Sequence, residues 1–160
     1  MMGIDETLAR VQADLSRLEP AAAAAAASEP MTFLVDIRPE SQRRRNGELP
    51  GGIVVERNHL EWRLDPRSDG RIPEAIDQDI RWIITCQSGF SSSLAAHSLC
   101  QIGLVRSTDM IGGFDAWLAA GLPVLQPATP RRPRGPGEGP SDGAMPFSAR
   151  SCPLSRIVIV

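Results

Sequence analysis

Short, mostly apolar segments alternate with helix-like stretches through the middle of this sequence, and this alternation is the feature that most constrains the fold. Residues 33–37, 53–55 and 82–85 are rich in β-branched and other apolar side chains, and a fourth short segment covers 108–111. A strand that is apolar at consecutive positions is buried on both faces, as parallel strands between two layers of helices are. We therefore predict an α/β fold in which helices cover both faces of a small, mostly parallel sheet.

Helices are predicted on either side of these strands. Residues 92–101 form one that ends before Gly103, and residues 114–120 form another that ends before Gly121. The alanine run 21–27 has a strong helix propensity and leads into the fold as a plain helix. At the N terminus, apolar residues recur at spacings of three and four along one helix face: Ile4, Leu8, Val11, Leu15 and Leu18.

The composition changes towards the C terminus. Between 127 and 146 the sequence holds six prolines and four glycines and shows no hydrophobic periodicity. We therefore predict an N-terminal amphipathic helix over 1–19, a folded domain over 20–126, and a Pro-, Gly- and Arg-rich tail without regular structure over 127–160. The tail, or its apolar end at 157–160, remains a candidate contact for a protein partner.

Composition and charge exclude several classes of function. The 17 basic residues, all arginine, are balanced by 19 acidic ones, so the net charge of −2 gives no reason to expect a nucleic-acid partner. No apolar stretch is long enough to cross a membrane, and the N terminus lacks the pattern of a signal peptide. Three cysteines, an odd number, argue against a disulfide framework and favour a reducing compartment, so we expect a cytoplasmic protein. The cysteines and two histidines show no metal-ligand spacing.

The segment with the clearest chemistry begins at Cys86, directly after the predicted strand 82–85. Several small or polar residues follow, and a helix begins near Ser92. A loop from a strand end to a helix start turns successive N–H groups inward, and together with the helix dipole it forms an anion site. Gly89 gives the backbone freedom that such a tight loop needs. The candidate anion-binding residues are Gln87, Ser88, Gly89, Phe90, Ser91 and Ser92.

The same electrostatic field favours the thiolate of Cys86 over its thiol and makes it a nucleophile near neutral pH. A thiolate beside an anion site suits attack on an electrophilic atom of an anionic substrate. On periodicity and spacing alone a second interpretation stays open, because a cysteine after a strand is often only a small buried hydrophobe.

Four motifs, in the right order, resemble those of the single-domain rhodanese family of sulfurtransferases. Residues 34–38 resemble its first-strand motif Asp-x-Arg, and residues 47–53 resemble its Gly-His-Ile-Pro-Gly-Ala turn. Residues 86–93 resemble the active-site loop Cys-x-x-Gly-x-Arg-Ser, and residues 112–124 closely match a closing segment with Gly-Gly, Trp and Ala-Gly-Leu-Pro-Val. The resemblance covers about residues 20–125 and implies the three-layer rhodanese-like fold.

The resemblance also implies an activity. Cys86 would take a sulfane sulfur from a donor such as thiosulfate, hold it as a persulfide and pass it to a thiophilic acceptor such as cyanide or a thiol. The amides of 87–92 would stabilise the persulfide and the oxygens of the donor, with no metal or organic cofactor. The alternative is a binding or regulatory module on the same fold, with weak or no catalysis.

Two positions depart from the family's motifs. Ser91 stands where the loop of many members has Arg, so a fixed cation is lost; Arg57 or Arg63 either replaces it or forms an ordinary surface ion pair. Glu48 stands where the turn has His, and we expect this position to be structural. Phosphatase relatives of the fold need Arg six positions after the cysteine, and here that residue is Ser92. Phosphoryl chemistry is therefore not expected.

The remaining side chains with reactive groups are expected to be structural. We predict that Asp36 and Arg38 pair with one another and tie the first strand to nearby loops, rather than binding substrate. We expect no catalytic role for the two histidines and the two other cysteines, which are His59, His97, Cys100 and Cys152.

Overall fold

Four short strands form the centre of the protein, whose residues 3–126 are described by a computed structural model. The strands are β1 (Thr32–Asp36), β2 (Ile53–Val54), β3 (Arg81–Thr85) and β4 (Thr108–Asp109). All of them pair in parallel in the order β2-β1-β3-β4, so that β1 and β3 lie in the middle. The predicted α/β fold with a small parallel sheet is confirmed.

Within the described residues, six helices surround this sheet. They are α1 (Ile4–Asp14), α2 (Pro20–Ala26), α3 (Glu40–Asn46), α4 (Leu60–Leu64), α5 (Ser91–Gln101) and α6 (Gly113–Ala119). A 3-10 turn over Arg57–His59 leads into α4. The sequence did not predict α3 and α4, because both are short and α3 is polar throughout, so neither shows a clear apolar stripe.

The strand β3 feeds two apolar cores, because successive side chains of a strand point to opposite faces. Trp82 and Ile84 enter the core that α4 and α5 cover, whereas Ile83 enters the core that α2 and α6 cover. Leu99 of α5 and Phe114 of α6 are both fully buried against these faces. The layers are therefore helix, sheet and helix.

The segment before the predicted domain boundary packs against the same sheet. The Leu18 amide donates to the Asp109 carbonyl at 3.0 Å, and the Ile111 amide donates to the Leu18 carbonyl at 2.8 Å. This parallel bridge covers the outer edge of β4, and α1 packs against α5. As a result, the chain between α1 and α2 runs close to the loop that follows β3.

The closing segment, residues 112–124, leads the chain to the edge of the sheet opposite β4, beside β2. The Trp117 indole donates to the Pro123 carbonyl at 2.9 Å, and Leu125 forms an antiparallel bridge with Glu48. The predictions for the tail, including Cys152, lie outside the described residues. Within residues 3–126, no helix is long and apolar enough to cross a membrane.

Candidate active site

Cys86 follows β3 at the carboxyl edge of the sheet, the edge at which open α/β sheets bind their ligands. This residue is only 6% exposed, and it contacts the apolar core on one side. On the other side its Sγ accepts a hydrogen bond from the Gly89 amide at 3.1 Å, and Ser92 Oγ lies 3.3 Å away. The loop therefore closes around the sulfur before α5 begins.

The carbonyls of this loop are held by donors that lie outside it. The Phe114 and Asp115 amides donate to the carbonyls of Cys86 and Gln87, both at 2.9 Å. The Gly89 carbonyl accepts hydrogen bonds from Arg17 Nη2 at 3.2 Å and from Gln12 Nε2 at 3.4 Å.

A trans peptide unit points its N–H away from its own C=O. Holding these three carbonyls therefore directs the N–H groups of Gln87, Ser88 and Phe90 to the opposite side of the chain. The first amides of α5, from Ser91 and Ser92, have no partner within the helix and add to the same set of donors. These backbone contacts are a physical basis for the predicted ring of donors.

The Gly-Gly pair before α6 allows this close backbone packing. A Cβ on Gly113 would lie 2.5 Å from the Cys86 carbonyl oxygen and 2.7 Å from the Gly89 amide nitrogen. A Cβ on Gly89 would lie 2.6 Å from the Gly112 nitrogen. All three glycines also have φ between +60° and +79°, where side chains are strained. The closing motif is therefore part of the site, because the loop rests directly on it.

Opposing effects set the ionisation of Cys86. Burial by itself raises the pKa of the thiol, but hydrogen bonds from the Ser91 and Ser92 hydroxyls and from the Ser92 and Gly89 amides stabilise the thiolate. The net result is a pKa for Cys86 below that of an ordinary thiol. Burial alone acts on Cys100 and raises its pKa, so the two thiols differ in the direction of their shifts.

The side chains of Gln87 and Ser88 are bound to α6. Gln87 Nε2 donates to Asp115 Oδ1 at 2.6 Å, and the Ser88 hydroxyl donates to Asp115 Oδ2 at 2.8 Å. Asn46 Nδ2 donates to Gln87 Oε1 at 3.1 Å. With these side chains engaged, the groups that Gln87 and Ser88 would offer to an anion are their backbone amides. Sequence reasoning missed Asp115 and Asn46, since neither stands in a pattern that signals chemistry.

Arg38 lies beneath the loop, and its side chain is 0% exposed. Its Nη2 pairs with Asp36 Oδ2 at 2.7 Å and donates to the Gly47 carbonyl at 2.9 Å. The guanidinium carbon also lies 3.6 Å from the centre of the Phe114 ring. These contacts connect β1, the turn at Gly47 and α6, which is the structural arrangement expected for Asp36 and Arg38.

The cations considered as replacements for the missing loop Arg are engaged elsewhere. Arg57 Nη1 pairs with Glu61 at 3.0 Å, and Arg63 Nη1 donates to the Gly70 carbonyl at 2.8 Å. Ser91 is exposed and its hydroxyl lies close enough to Cys86 to stabilise the thiolate. Phe90 is 62% exposed.

A buried polar cluster behind the loop was also missed by sequence reasoning. Asp109, which is fully buried at the end of β4, accepts hydrogen bonds from the Ser92 and Ser93 hydroxyls at 3.1 and 2.7 Å. Arg17 pairs with the same carboxylate at 2.8 Å. These residues come from three separate parts of the chain, so no local pattern reveals them.

Potential metal ligands do not gather in the part of the chain that the structure describes: residues 3–126 hold no group of three or more His, Cys, Asp or Glu side chains arranged around an ion. His59 ends the 3-10 turn before α4, and His97 lies along α5.

The fold and the cysteine loop define a class of protein that comparison with known families identifies. The model of the rhodanese-like domain matches residues 19–120, which is more than half of the chain. The chain therefore belongs to the rhodanese-like domain family.

Two relatives of this chain are named sulfurtransferases. The chain is 34% identical over 95 residues to a sulfurtransferase of Allochromatium vinosum, a match that covers 59% of this chain and 79% of that protein. It is 36% identical over 61 residues to the thiosulfate sulfurtransferase GlpE of Actinobacillus pleuropneumoniae, which covers 38% of this chain and 56% of that relative. A solved structure from Rhodopseudomonas palustris, described as a protein of unknown function and possible tyrosine phosphatase, has a TM-score of 0.70 and 31% identity, covering 78% of this chain and 95% of that one.

Proposed function

We propose that this chain is a rhodanese-type sulfurtransferase in which Cys86 carries the sulfur. The observation that carries the proposal is the buried Cys86 Sγ, which accepts a hydrogen bond from the Gly89 amide at 3.1 Å. It stands at the start of a loop whose first two carbonyls, those of Cys86 and Gln87, accept hydrogen bonds from the amides of α6. Such a site stabilises a thiolate and then a persulfide, both of which carry negative charge on sulfur. The family match and the two sulfurtransferase relatives support the same conclusion.

With thiosulfate as donor, the Cys86 thiolate attacks the sulfane sulfur. A new S–S bond forms to Cys86, the S–S bond of thiosulfate breaks, and sulfite leaves with the bonding electron pair. In the second half-reaction, cyanide or a thiolate attacks the outer sulfur of the persulfide. Cys86 leaves as a thiolate, and the product is thiocyanate or a new persulfide. Both steps are nucleophilic displacements that need no redox cofactor.

The backbone amides of the loop contribute the same stabilisation to both steps. The negative charge moves between the Cys86 sulfur and the outer sulfur, and we propose that the amides of 87–92 stabilise it in both places. In support, the Gly89 amide donates to Cys86 Sγ at 3.1 Å. Fixed donors of this kind lower the barrier because they are oriented before the charge moves. Thiosulfate as a donor is supported by the name of the Actinobacillus relative. The proposed setting is the cytoplasm, on the cysteine argument.

Phosphate-ester hydrolysis is less well supported, although the Rhodopseudomonas structure is described as a possible phosphatase. Its dianionic transition state calls for a guanidinium six positions after the cysteine. Ser92 stands there, and its hydroxyl is bonded to Asp109.

Mass spectrometry of the intact protein after incubation with thiosulfate tests the proposal. We expect a gain of one sulfur atom that is lost on addition of cyanide, is absent in Cys86→Ser, and persists in the matched control Cys100→Ser. A folded wild-type protein that gains no sulfur from thiosulfate or polysulfide would instead favour the regulatory or binding module.

A further inference from the structure

Arg17 lies before the stretch that the family model matches, yet it reaches the loop around Cys86. Its Nε and Nη2 donate to the two carboxylate oxygens of Asp109 at 2.8 and 3.1 Å. The same Nη2 donates to the Gly89 carbonyl at 3.2 Å. The side chain of Arg17 is 16% exposed and that of Asp109 is 0% exposed. One nearly buried guanidinium thus contacts both the loop backbone and a buried carboxylate.

Asp109 is connected to Cys86 through a single side chain, that of Ser92. The Ser92 hydroxyl donates to Asp109 Oδ2 at 3.1 Å and lies 3.3 Å from Cys86 Sγ. A hydroxyl has one proton, so Ser92 donates it either to the carboxylate or to the thiolate. The charge on Asp109 decides between these alternatives, because a carboxylate neutralised by Arg17 competes less strongly for the proton.

We propose that Arg17 is a positioning residue of the Cys86 site: it neutralises Asp109, which leaves Ser92 able to stabilise the sulfur, and it holds the Gly89 carbonyl away from the site. Gln12 of α1 assists, since its Nε2 donates to Ser93 Oγ at 3.1 Å. The importance of Arg17 for catalysis rests on the proposed function, but its effect on the thiol does not. Without Arg17, a bare carboxylate two hydrogen bonds from the sulfur would repel the thiolate.

The other charged groups packed around the loop have partners of their own. Beneath it, Arg38 pairs with Asp36 at 2.7 Å. On α6, the Asp115 carboxylate accepts hydrogen bonds from Gln87 and Ser88. Beside α5, Glu61 accepts hydrogen bonds from Arg57 and from Ser98. Changes at Arg17 or Asp109 therefore alter one charge pair and leave these contacts in place.

The test is the rate of Cys86 alkylation by iodoacetamide as a function of pH, resolved by peptide mass spectrometry, which needs no sulfur donor. In Arg17→Gln, an uncompensated Asp109 is expected to move the midpoint of the profile up by about one pH unit. Asp109→Asn leaves the charge of Arg17 and frees the Ser92 proton, so its midpoint moves down. The double variant returns towards wild type. The matched control Arg44→Gln, which breaks an exposed ion pair with Glu40, leaves the midpoint unchanged.

Opposite shifts in the two single variants support the inference, because a merely structural role would move both in the same direction. The inference is overturned if both single variants keep the wild-type midpoint, or if their midpoints shift in the same direction. If Arg17→Gln does not fold, Asp109→Asn decides alone, since it keeps the shape of the side chain: a lower midpoint supports the inference, and an equal or higher one overturns it. The proposed function has its own failure: it is wrong if wild-type Cys86 has a low midpoint of alkylation but takes up no sulfur from a donor.

Discussion

Replacing Gly113 with alanine tests whether the backbone contact between α6 and the loop holds Cys86 in its working position. The new Cβ would lie 2.5 Å from the Cys86 carbonyl oxygen, and ordinary contact begins at 3.4 Å, so the loop must move by about 0.9 Å. The φ of +60° adds a strain of about 1–2 kcal/mol. A displacement of this size at a reacting group is expected to slow sulfur transfer by about 100-fold.

Gly121→Ala is the matched control. Gly121 has a similar φ of +68°, but a Cβ there meets no atom within 4 Å. We expect both variants to lose stability in urea unfolding, by the backbone strain at least, while only Gly113→Ala loses sulfur transfer from thiosulfate and alkylation of Cys86 at neutral pH. Two variants that transfer sulfur equally fast would refute the idea that this backbone contact positions the thiol.

Three further predictions concern the loop and the residues beneath it. Ser91→Arg restores a cation at the exposed loop position and is expected to raise kcat/KM for thiosulfate about tenfold in initial-rate assays. A fall in kcat/KM would contradict the expected anion site. Ser92→Ala removes the hydroxyl of Ser92, whose hydrogen bond lowers the pKa of Cys86, and keeps its backbone amide, so the acidic limb of the pH–rate profile should move to higher pH. An unmoved limb would exclude this role. Arg38→Met leaves the Asp36 carboxylate buried without its partner and should cost about 3–5 kcal/mol in urea unfolding; a loss below 1 kcal/mol, roughly the value of a surface pair, would show that the pair is not essential.

The sequence predicted the parts of this protein that depend on local pattern. Short β-branched runs located the strands, and Cys86 with Gly89 identified the loop, because a tight turn between a strand and a helix needs small residues and glycine in consecutive positions. The closing glycines were recognised by resemblance. Their physical reason, contact with the Cys86 carbonyl, became visible only when α6 was placed against the loop.

Contacts between distant segments were not predictable in the same way. Arg17 and Asp109 are 92 positions apart, and nothing in the spacing of either residue indicates the other. Asp115 binds Gln87 and Ser88 only because α6 begins beside the loop. The loss of a loop cation at Ser91 was expected. What the sequence did not indicate is that Ser91 contributes a hydroxyl to the stabilisation of the sulfur.

The pH dependence of alkylation of Cys86 and Cys100 in the native protein tests the central claim most directly, because both thiols are measured in one sample. Hydrogen bonds from the loop lower the pKa of Cys86, whereas burial raises that of Cys100. We predict that Cys86 reacts well below the pH at which Cys100 begins to react. The claim would be contradicted if Cys86 stays protonated up to the same pH as Cys100, or if it is not alkylated in the native fold.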